Sequence, residues 1–353
     1  MSKQTTEQKK QPAEKRRSAR YSAAHATAML QEPASAYEPG TCLYCYNMLE
    51  PGQIDFHSAC SRRIFGRPEQ PELPYNEQDM LMLGERVIKS QVAVTGVQAK
   101  LSLQIEKEKP DKHHRFTIVG LWGTYILKPP SRQFPLLPEV EDLTMHLAAL
   151  AGIETVPHSL IRLNDGSLSY ITRRIDRVKN EKLHMEDLCQ LTERLTEDKY
   201  KGSYEQIAKT ILKYSANPGL DTVNFYEQVV FSFLTGNADM HLKNFSLIDE
   251  PGRGYVLAPA YDMVASALLM KDDKEDMALT LNGKKRKLQR KDFDAAMLGN
   301  VLLDAKSVAS VYRKFEVAIP LWLEFIPKGF LPEKVAQEYT QLIKDRAKRL
   351  RLL

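Results

Sequence analysis

The spacing of apolar residues changes character along this chain. Residues 1 to about 40 carry almost no large apolar side chains and are rich in Gln, Glu, Lys, Arg, Ala and Ser. Such a stretch cannot bury enough surface to offset its ordering entropy, so a disordered tail is expected there. Three prolines between Gly66 and Tyr75 read as a linker. The segment Val92 to Leu103 then alternates apolar and polar residues around Gly96, and Trp122 to Lys128 reads as a strand stopped by Pro129 and Pro130. Leu143, Leu147 and Leu150 recur at helical spacing, with Gly152 as a natural stop. Asn164-Asp165-Gly166 is a tight-turn signal ahead of a strand from Leu168 to Thr172. Beyond residue 176 the pattern is mainly helical, from the apolar run Val229–Leu234 to a last helix with Leu342, Ile343, Ala347 and Leu350 on one face. One interruption, Phe245–Ile248, then Glu250–Gly254, then Tyr255–Leu257, reads as strand, turn, strand. The pattern predicts an α+β chain with a tail over 1–40, a small module over 41–66 and a linker over 67–79. A strand-rich region follows over 80–175 and a helical one over 176–353.

With 353 residues the chain is long enough for two real cores and a small extra module. The net charge of +5 is mild; it permits an acidic partner or nucleic acid without arguing for one. The basic clusters Lys15–Arg17 with Arg20, and Lys284–Lys287 with Arg290-Lys291, read either as solvated surface or as contacts to nucleic acid or, for the second, a protein partner. No apolar run approaches the roughly 20 residues needed to span a bilayer, and the first residues have no apolar signal core. A cytoplasmic protein without membrane partners is the expectation.

The module at 41–66 carries Cys42-Leu43-Tyr44-Cys45 and then His57-Ser58-Ala59-Cys60. Each pair, with two residues between its members, can present two donors to one metal. Three thiolates and an imidazole make a closed tetrahedral zinc site of the structural kind. Unrelated reduced cysteines are the alternative. Such a site has no open position for catalysis, so the module is expected to be separable from any chemistry elsewhere in the chain. Cys189 stands apart and reads as a small buried side chain.

The densest polar cluster is Gly236-Asn-Ala-Asp-Met-His-Leu-Lys-Asn-Phe-Ser246, directly after the apolar run. Four residues separate Asp239 from Asn244. That is the spacing of a kinase catalytic loop, in which the Asp orients or deprotonates the acceptor hydroxyl and the Asn holds magnesium. After the strand–turn–strand comes Tyr261-Asp262, where a second magnesium carboxylate would stand. An Asn/Asp-rich turn would explain the first cluster alone; the order Asp, Asn, hairpin, Asp is far more specific. Lys128, at the end of its strand, fits the lysine that neutralises nucleotide phosphates, or else a surface strand-end residue.

Asn237 to Ser246 together with Tyr261-Asp262 resembles the HipA-like serine/threonine kinases, the toxins of bacterial toxin–antitoxin modules. The resemblance runs from about residue 85 to the end. It implies a two-lobed protein-kinase-like fold, ATP and magnesium as cofactors, and Asp239 as the catalytic residue. It implies a phosphate loop of Thr95, Gly96, Val97, Gln98, Ala99 and Lys100. Lys128 would pair with Glu141, with Glu139 as the rival. Arg173, Arg174 and Ile175 would form the hinge at the adenine edge. His241, Leu242, Lys243 and Tyr261 would line the site beside Asn244 and Asp262. Relatives often carry an autophosphorylated Ser before the loop glycine. Ala93 stands there in this chain, leaving Thr95 as the candidate hydroxyl. The resemblance also implies a protein substrate in translation and a DNA-binding antitoxin partner. The Cys/His module departs from the family pattern. Two other readings stay open: a small-molecule kinase, and a non-catalytic regulator that binds nucleotide and contacts nucleic acid.

Overall fold

The computed structural model describes residues 40–90, 99–106, 114–119, 122–178, 181–301 and 303–353, with only the backbone for 84–90. The expected tail, apart from Gly40, lies outside the described residues. So do Thr95, Gly96, Val97 and Gln98 of the expected phosphate loop.

The first half is built on an antiparallel sheet. Strands β1 (Leu101–Glu106), β2 (Arg115–Ile118), β3 (Tyr125–Lys128), β4 (His158–Arg162) and β5 (Leu168–Arg173) lie in the order β2-β1-β3-β5-β4. Alternation along each strand divides the side chains between two faces. Ile171 packs into one core and its neighbour Tyr170 into another. On the Tyr170 side lies helix α3 (Leu137–Leu150), which buries Val140, Leu143 and Leu147. On the other side Leu101, Leu103, Phe116, Tyr125, Leu127 and Leu160 meet the Cys/His segment and the helix that follows it, α1 (Ser58–Phe65).

Here the structure departs from the module-and-linker division. Cys42, Leu43, Phe56, Cys60, Ile64 and Phe65 share one core with the sheet. The proline-rich stretch is no free tether either. Leu73 is buried, and the backbone of Glu72 bonds to His114 O (2.9 Å) and Phe116 N (2.8 Å) along the sheet edge. Prolines forbid a helix there, but an extended backbone between them can still pair. Helix α2 (Glu77–Ser90) begins before the expected end of this linker.

The second half begins with the short strands β6 (Arg177–Val178), β7 (Glu181–Lys182) and β8 (Met185–Asp187) and helix α4 (Leu188–Leu191). Helices α5 (Tyr204–Tyr214) and α6 (Pro218–Thr235) follow, and then the hairpin β9 (Ser246–Glu250) and β10 (Gly254–Leu257). Helices α7 (Ser266–Leu269), α8 (Arg290–Asp294), α9 (Ala305–Phe325) and α10 (Glu333–Leu350) complete it. Phe225, Val229, Val230, Phe231, Phe233 and Leu234 of α6 are all fully buried, and from Gln228 to Thr235 every residue is buried, so this half of α6 becomes the central helix. Phe231 meets Trp322 of α9 edge-on at 5.5 Å, and the Trp322 indole N–H donates to Leu147 O of α3 at 2.8 Å. The helical core thereby holds α3 from below while the sheet holds it from above.

Candidate active site

The central helix ends where the chemistry begins. Gly236 caps α6 in the left-handed region, at φ 73°. That angle favours glycine, and a Cβ there would also push the end of Leu342 aside, 2.7 Å from its Cδ2, and crowd Ala267 Cβ at 3.1 Å. The chain then folds into a tight loop closed by its own amides. Asp239 N–H donates to Asn237 Oδ1 (3.2 Å), and Asn244 Nδ2 donates to the Asp239 carbonyl (3.1 Å). That bond leaves the Asn244 amide oxygen as the side chain's remaining donor atom for a hard cation. The Asp239 carboxylate accepts from Tyr200 Oη at 2.5 Å.

The neighbours of this loop hold it in turn. Lys243 Nζ binds Asp187 Oδ2 at 2.6 Å, and Asp187 also caps α4 by accepting from Gln190 N at 3.0 Å. The Tyr261 hydroxyl bonds Ser246 Oγ (2.5 Å) and the Lys243 carbonyl (3.1 Å), tying the Asp262 segment to the loop. His241 is buried edge-on to Tyr200, with ring centroids 5.0 Å apart, and its Nδ1 has no hydrogen-bond partner among the described residues. Burial pushes the imidazole down to about 4 against the pull of Asp239, so it stays neutral at pH 7. Leu242 turns into the hydrophobic core, which leaves only its backbone to the site.

Asp262 itself has φ 59°, an uncommon angle for a residue with a side chain. Its Oδ1 accepts from Lys128 Nζ and its Oδ2 from Lys100 Nζ, the latter at 2.7 Å. Lys128 also donates to Glu141 of α3. The Lys128 and Glu141 side chains are only 4% and 2% exposed, so this pair is shielded from water, while Lys100 at the other end of the chain of charges is open to it. Against the burial that would lower it, Asp262 and Glu141 hold the Lys128 ammonium above its usual range. Against the burial that would raise it, Lys100 and Lys128 hold Asp262 well below the usual carboxylate range. Burial pushes Glu141 up to about 7, against the pull of Lys128. Glu139, the rival, has a buried Oε2 with no hydrogen-bond partner among the described residues, and burial pushes its carboxyl up to about 8.

The structure thus brings together Asp239, His241, Lys243, Asn244, Tyr261, Asp262, Lys100, Lys128 and Glu141. Ala99 adjoins Lys100 at the head of β1. In the expected hinge segment, Arg173 N–H donates to Pro157 O (2.9 Å) and Arg174 N–H to Thr124 O (2.9 Å), so these two of its three backbone donors are taken within the fold. The Arg174 side chain is turned onto Asp176, at 2.9 and 2.7 Å. Sequence reasoning missed Tyr200 and Lys199. Both sit in an irregular stretch without periodicity or motif, and only the fold carries them to Asp239.

The second cluster is the Cys/His group. The ligand atoms of Cys42, Cys45, His57 and Cys60 all lie within 4.8 Å of one another. His57 Nδ1 is 3.5 Å from Cys45 Sγ and 3.8 Å from Cys60 Sγ. Zinc bonds of about 2.3 Å to sulfur and 2.0–2.1 Å to nitrogen give tetrahedral edges of roughly 3.5–3.8 Å, so the group has the right size. The other ring nitrogen, Nε2, lies 3.0 Å from Met48 O, the outer contact that a metal-bound imidazole usually makes. Burial and the facing Cys42 and Cys45 sulfurs push the Cys60 thiol up, a crowding that a dication would reverse. All four cysteines are free of disulfides.

The family model for the HipA-like C-terminal domain matches residues 92–322. A provisionally named kinase of Haemophilus influenzae is 33% identical over 209 residues, which cover 55% of this chain and 58% of that protein. Kinase Y4mE of Sinorhizobium fredii, also provisionally named, is 30% identical over 58% of this chain and 49% of its own length. The chain thus spans about half the length of these curated relatives. Among solved structures, HipA of Shewanella oneidensis, in a complex with HipB and operator DNA, superposes with a TM-score of 0.60 at 19% identity. The match covers 86% of this chain and 74% of that one. That likeness establishes the fold, the two-lobed α+β arrangement expected from the sequence. Among the described residues no helix is long and apolar enough to cross a membrane. With the family model spanning well over half of its residues, and with that fold, the chain belongs to the family of HipA-like C-terminal domains.

Proposed function

We propose that this chain is a kinase of the HipA type, transferring the γ-phosphoryl group of ATP to a serine or threonine hydroxyl of a protein. The carrying observation is the convergence of two separate sequence motifs on one place. The buried Lys128–Glu141 pair from β3 and α3 meets Asp262, which Tyr261 ties to the loop bearing Asp239 and Asn244.

In this reading Lys128 and Lys100 hold the phosphates, together with the backbone of Thr95, Gly96, Val97, Gln98 and Ala99. The backbone of Arg173, Arg174 and Ile175 meets the adenine edge through its carbonyls in the same reading. The amide oxygen of Asn244 and the carboxylate of Asp262 are hard donors suited to magnesium. When bound, magnesium neutralises phosphate charge. Asp239, held by Tyr200, orients the acceptor hydroxyl and takes its proton. The new O–P bond forms as the bond to the β-phosphate oxygen breaks, and ADP leaves. Neutral His241 adds no charge beside Asp239. Most of the rate comes from positioning and charge placement, because the reaction asks little else of the protein.

The relatives' names support a kinase, and the HipA–HipB complex supports an antitoxin partner that restrains the chain as a toxin. A target in translation belongs to the same reading. Labelled ATP added to cell lysate with this protein tests it. A labelled protein band that disappears with Asp239→Asn and Asp262→Ala is expected. A labelled metabolite without a band would replace protein by a small-molecule acceptor, and no transfer at all would sink the kinase reading.

A further inference from the structure

The Cys/His group does not act as a separate appendage. Most of it, Cys42, Leu43, Phe56 and Cys60, packs in the sheet core, yet Tyr46 packs in the helical core. Tyr46 sits in the turn between the two ligand pairs, next to Cys45, at φ 62°. Its N–H donates to Cys42 O at 3.0 Å, and Cys42 N–H donates to Asn47 O at 2.9 Å. The knuckle turn therefore sets where the Tyr46 ring goes. The ring stacks on Phe325 at 5.3 Å, meets Phe330 edge-on at 5.0 Å and meets His146 of α3 at 4.6 Å. Its hydroxyl donates to Asp142 Oδ2 at 2.7 Å.

Asp142 is fully buried in α3, one residue after Glu141. Successive residues of a helix point about 100° apart, so α3 presents Glu141 to Lys128 and Asp142 to the knuckle. The other carboxylate oxygen of Asp142 is 2.7 Å from His158 Nδ1 of β4, and His146 Nε2 is 3.4 Å from Oδ2. Asp142, His146 and His158 are close enough to suggest a metal group of their own. The carboxylate, however, already has a close protein donor on each oxygen, from Tyr46 and from His158. The cluster is a hydrogen-bond hub, and its partners come from the knuckle, the sheet and α3 itself.

We propose that the metal-closed knuckle is a positioning element of the transfer site. Through Tyr46 it pins Asp142, and so sets the placement of α3 that brings Glu141 to Lys128. Tyr46 and Asp142 are positioning residues, and loss of the metal loosens the nucleotide site from behind. This rests on the kinase reading for its activity consequence but not for the mechanical one.

The test uses the full chain loaded with zinc, compared with Tyr46→Phe and with chelator-stripped protein. Tyr46→Phe keeps the ring and removes only the donation to Asp142. Zinc content should stay at wild-type level in Tyr46→Phe. Amide exchange over 137–150 should rise about tenfold, the scale set by one hydrogen bond to a buried charge, while α6 and α10 exchange as in the wild type. Affinity for ATP with magnesium should fall by a similar factor. Stripped protein should show the same local pattern, reversed by added zinc. Unchanged exchange over 137–150 in both samples would overturn the proposal. So would a uniform rise across α6 and α10 in Tyr46→Phe, which would make the knuckle a general prop. A wild-type chain that binds no ATP would sink the kinase reading, while the exchange measurement would still decide the coupling.

Discussion

Replacing Glu141 by Gln separates charge from shape at the most buried point of the site. The amide oxygen can still accept from the Lys128 ammonium, so the hydrogen bond survives as a contact between a charge and a dipole. What is lost is the ion-pair part of a bond to a charged group, itself about 1.5–3 kcal/mol net, so the change costs about 1–2 kcal/mol. Lys128 keeps its bond to Asp262, which spares the fold the larger cost of an unpaired buried charge. If the pair aligns Lys128 for the nucleotide, that loss lowers kcat/KM for ATP by roughly 5–30-fold. Glu139→Gln is the control. Its carboxyl, pushed up to about 8, is already protonated at pH 7, so the amide resembles the resident group and activity should hold within about twofold. A pH profile sharpens the test. Glu141 ionises as pH rises through about 7, so the wild type should gain activity across that range and Glu141→Gln should lack this limb. Stability moves the other way. A carboxyl raised from 4.5 to about 7 holds its proton more tightly in the folded state. Its contribution is complete below pH 4.5 and is lost as pH rises through 7. ATP turnover of the three proteins from pH 5.5 to about 8.5 decides. Equal losses in Glu139→Gln and Glu141→Gln, or a wild-type pH limb in Glu141→Gln, would refute the argument.

Two further outcomes are expected. Elemental analysis of protein purified without chelator should find one zinc per chain, lost in a Cys42→Ser, Cys60→Ser double variant; substoichiometric zinc in reduced, metal-supplemented protein would count against the site. Mass spectrometry after incubation with ATP should find phosphate on Thr95 in the wild type and none in Asp239→Asn. The added charge of about −1.5 to −2 competes for the donors of the phosphate loop, so Thr95→Asp should lose ATP binding and Thr95→Ala should keep it. Phosphorylated protein that binds ATP normally would end that inhibitory reading.

The candidate site residues could be grouped from the sequence because their spacing is local. Asp239 and Asn244 share one tight loop, Asp262 follows one hairpin, and the Cys/His pairs each sit within one turn. Short-range geometry of that kind is written into residue order. The α+β division was legible from periodicity for the same reason, since burial on one face repeats with the element's own pitch. Contacts between distant segments were not. Residue type and spacing alone leave Glu139 as a rival to Glu141, which the family resemblance favours; the packing of α3 between Trp322 and the sheet is what turns Glu141 toward Lys128. The N–H groups of Arg173 and Arg174, expected to face an adenine edge, donate instead to Pro157 and Thr124, a pairing that no local signal announces. Tyr200 reaches Asp239 across 39 residues, and Tyr46 reaches Asp142 across 96. A knuckle that looks self-contained along the chain became part of the sheet's core because its apolar residues, too few to bury one another, were covered by the strands beside them.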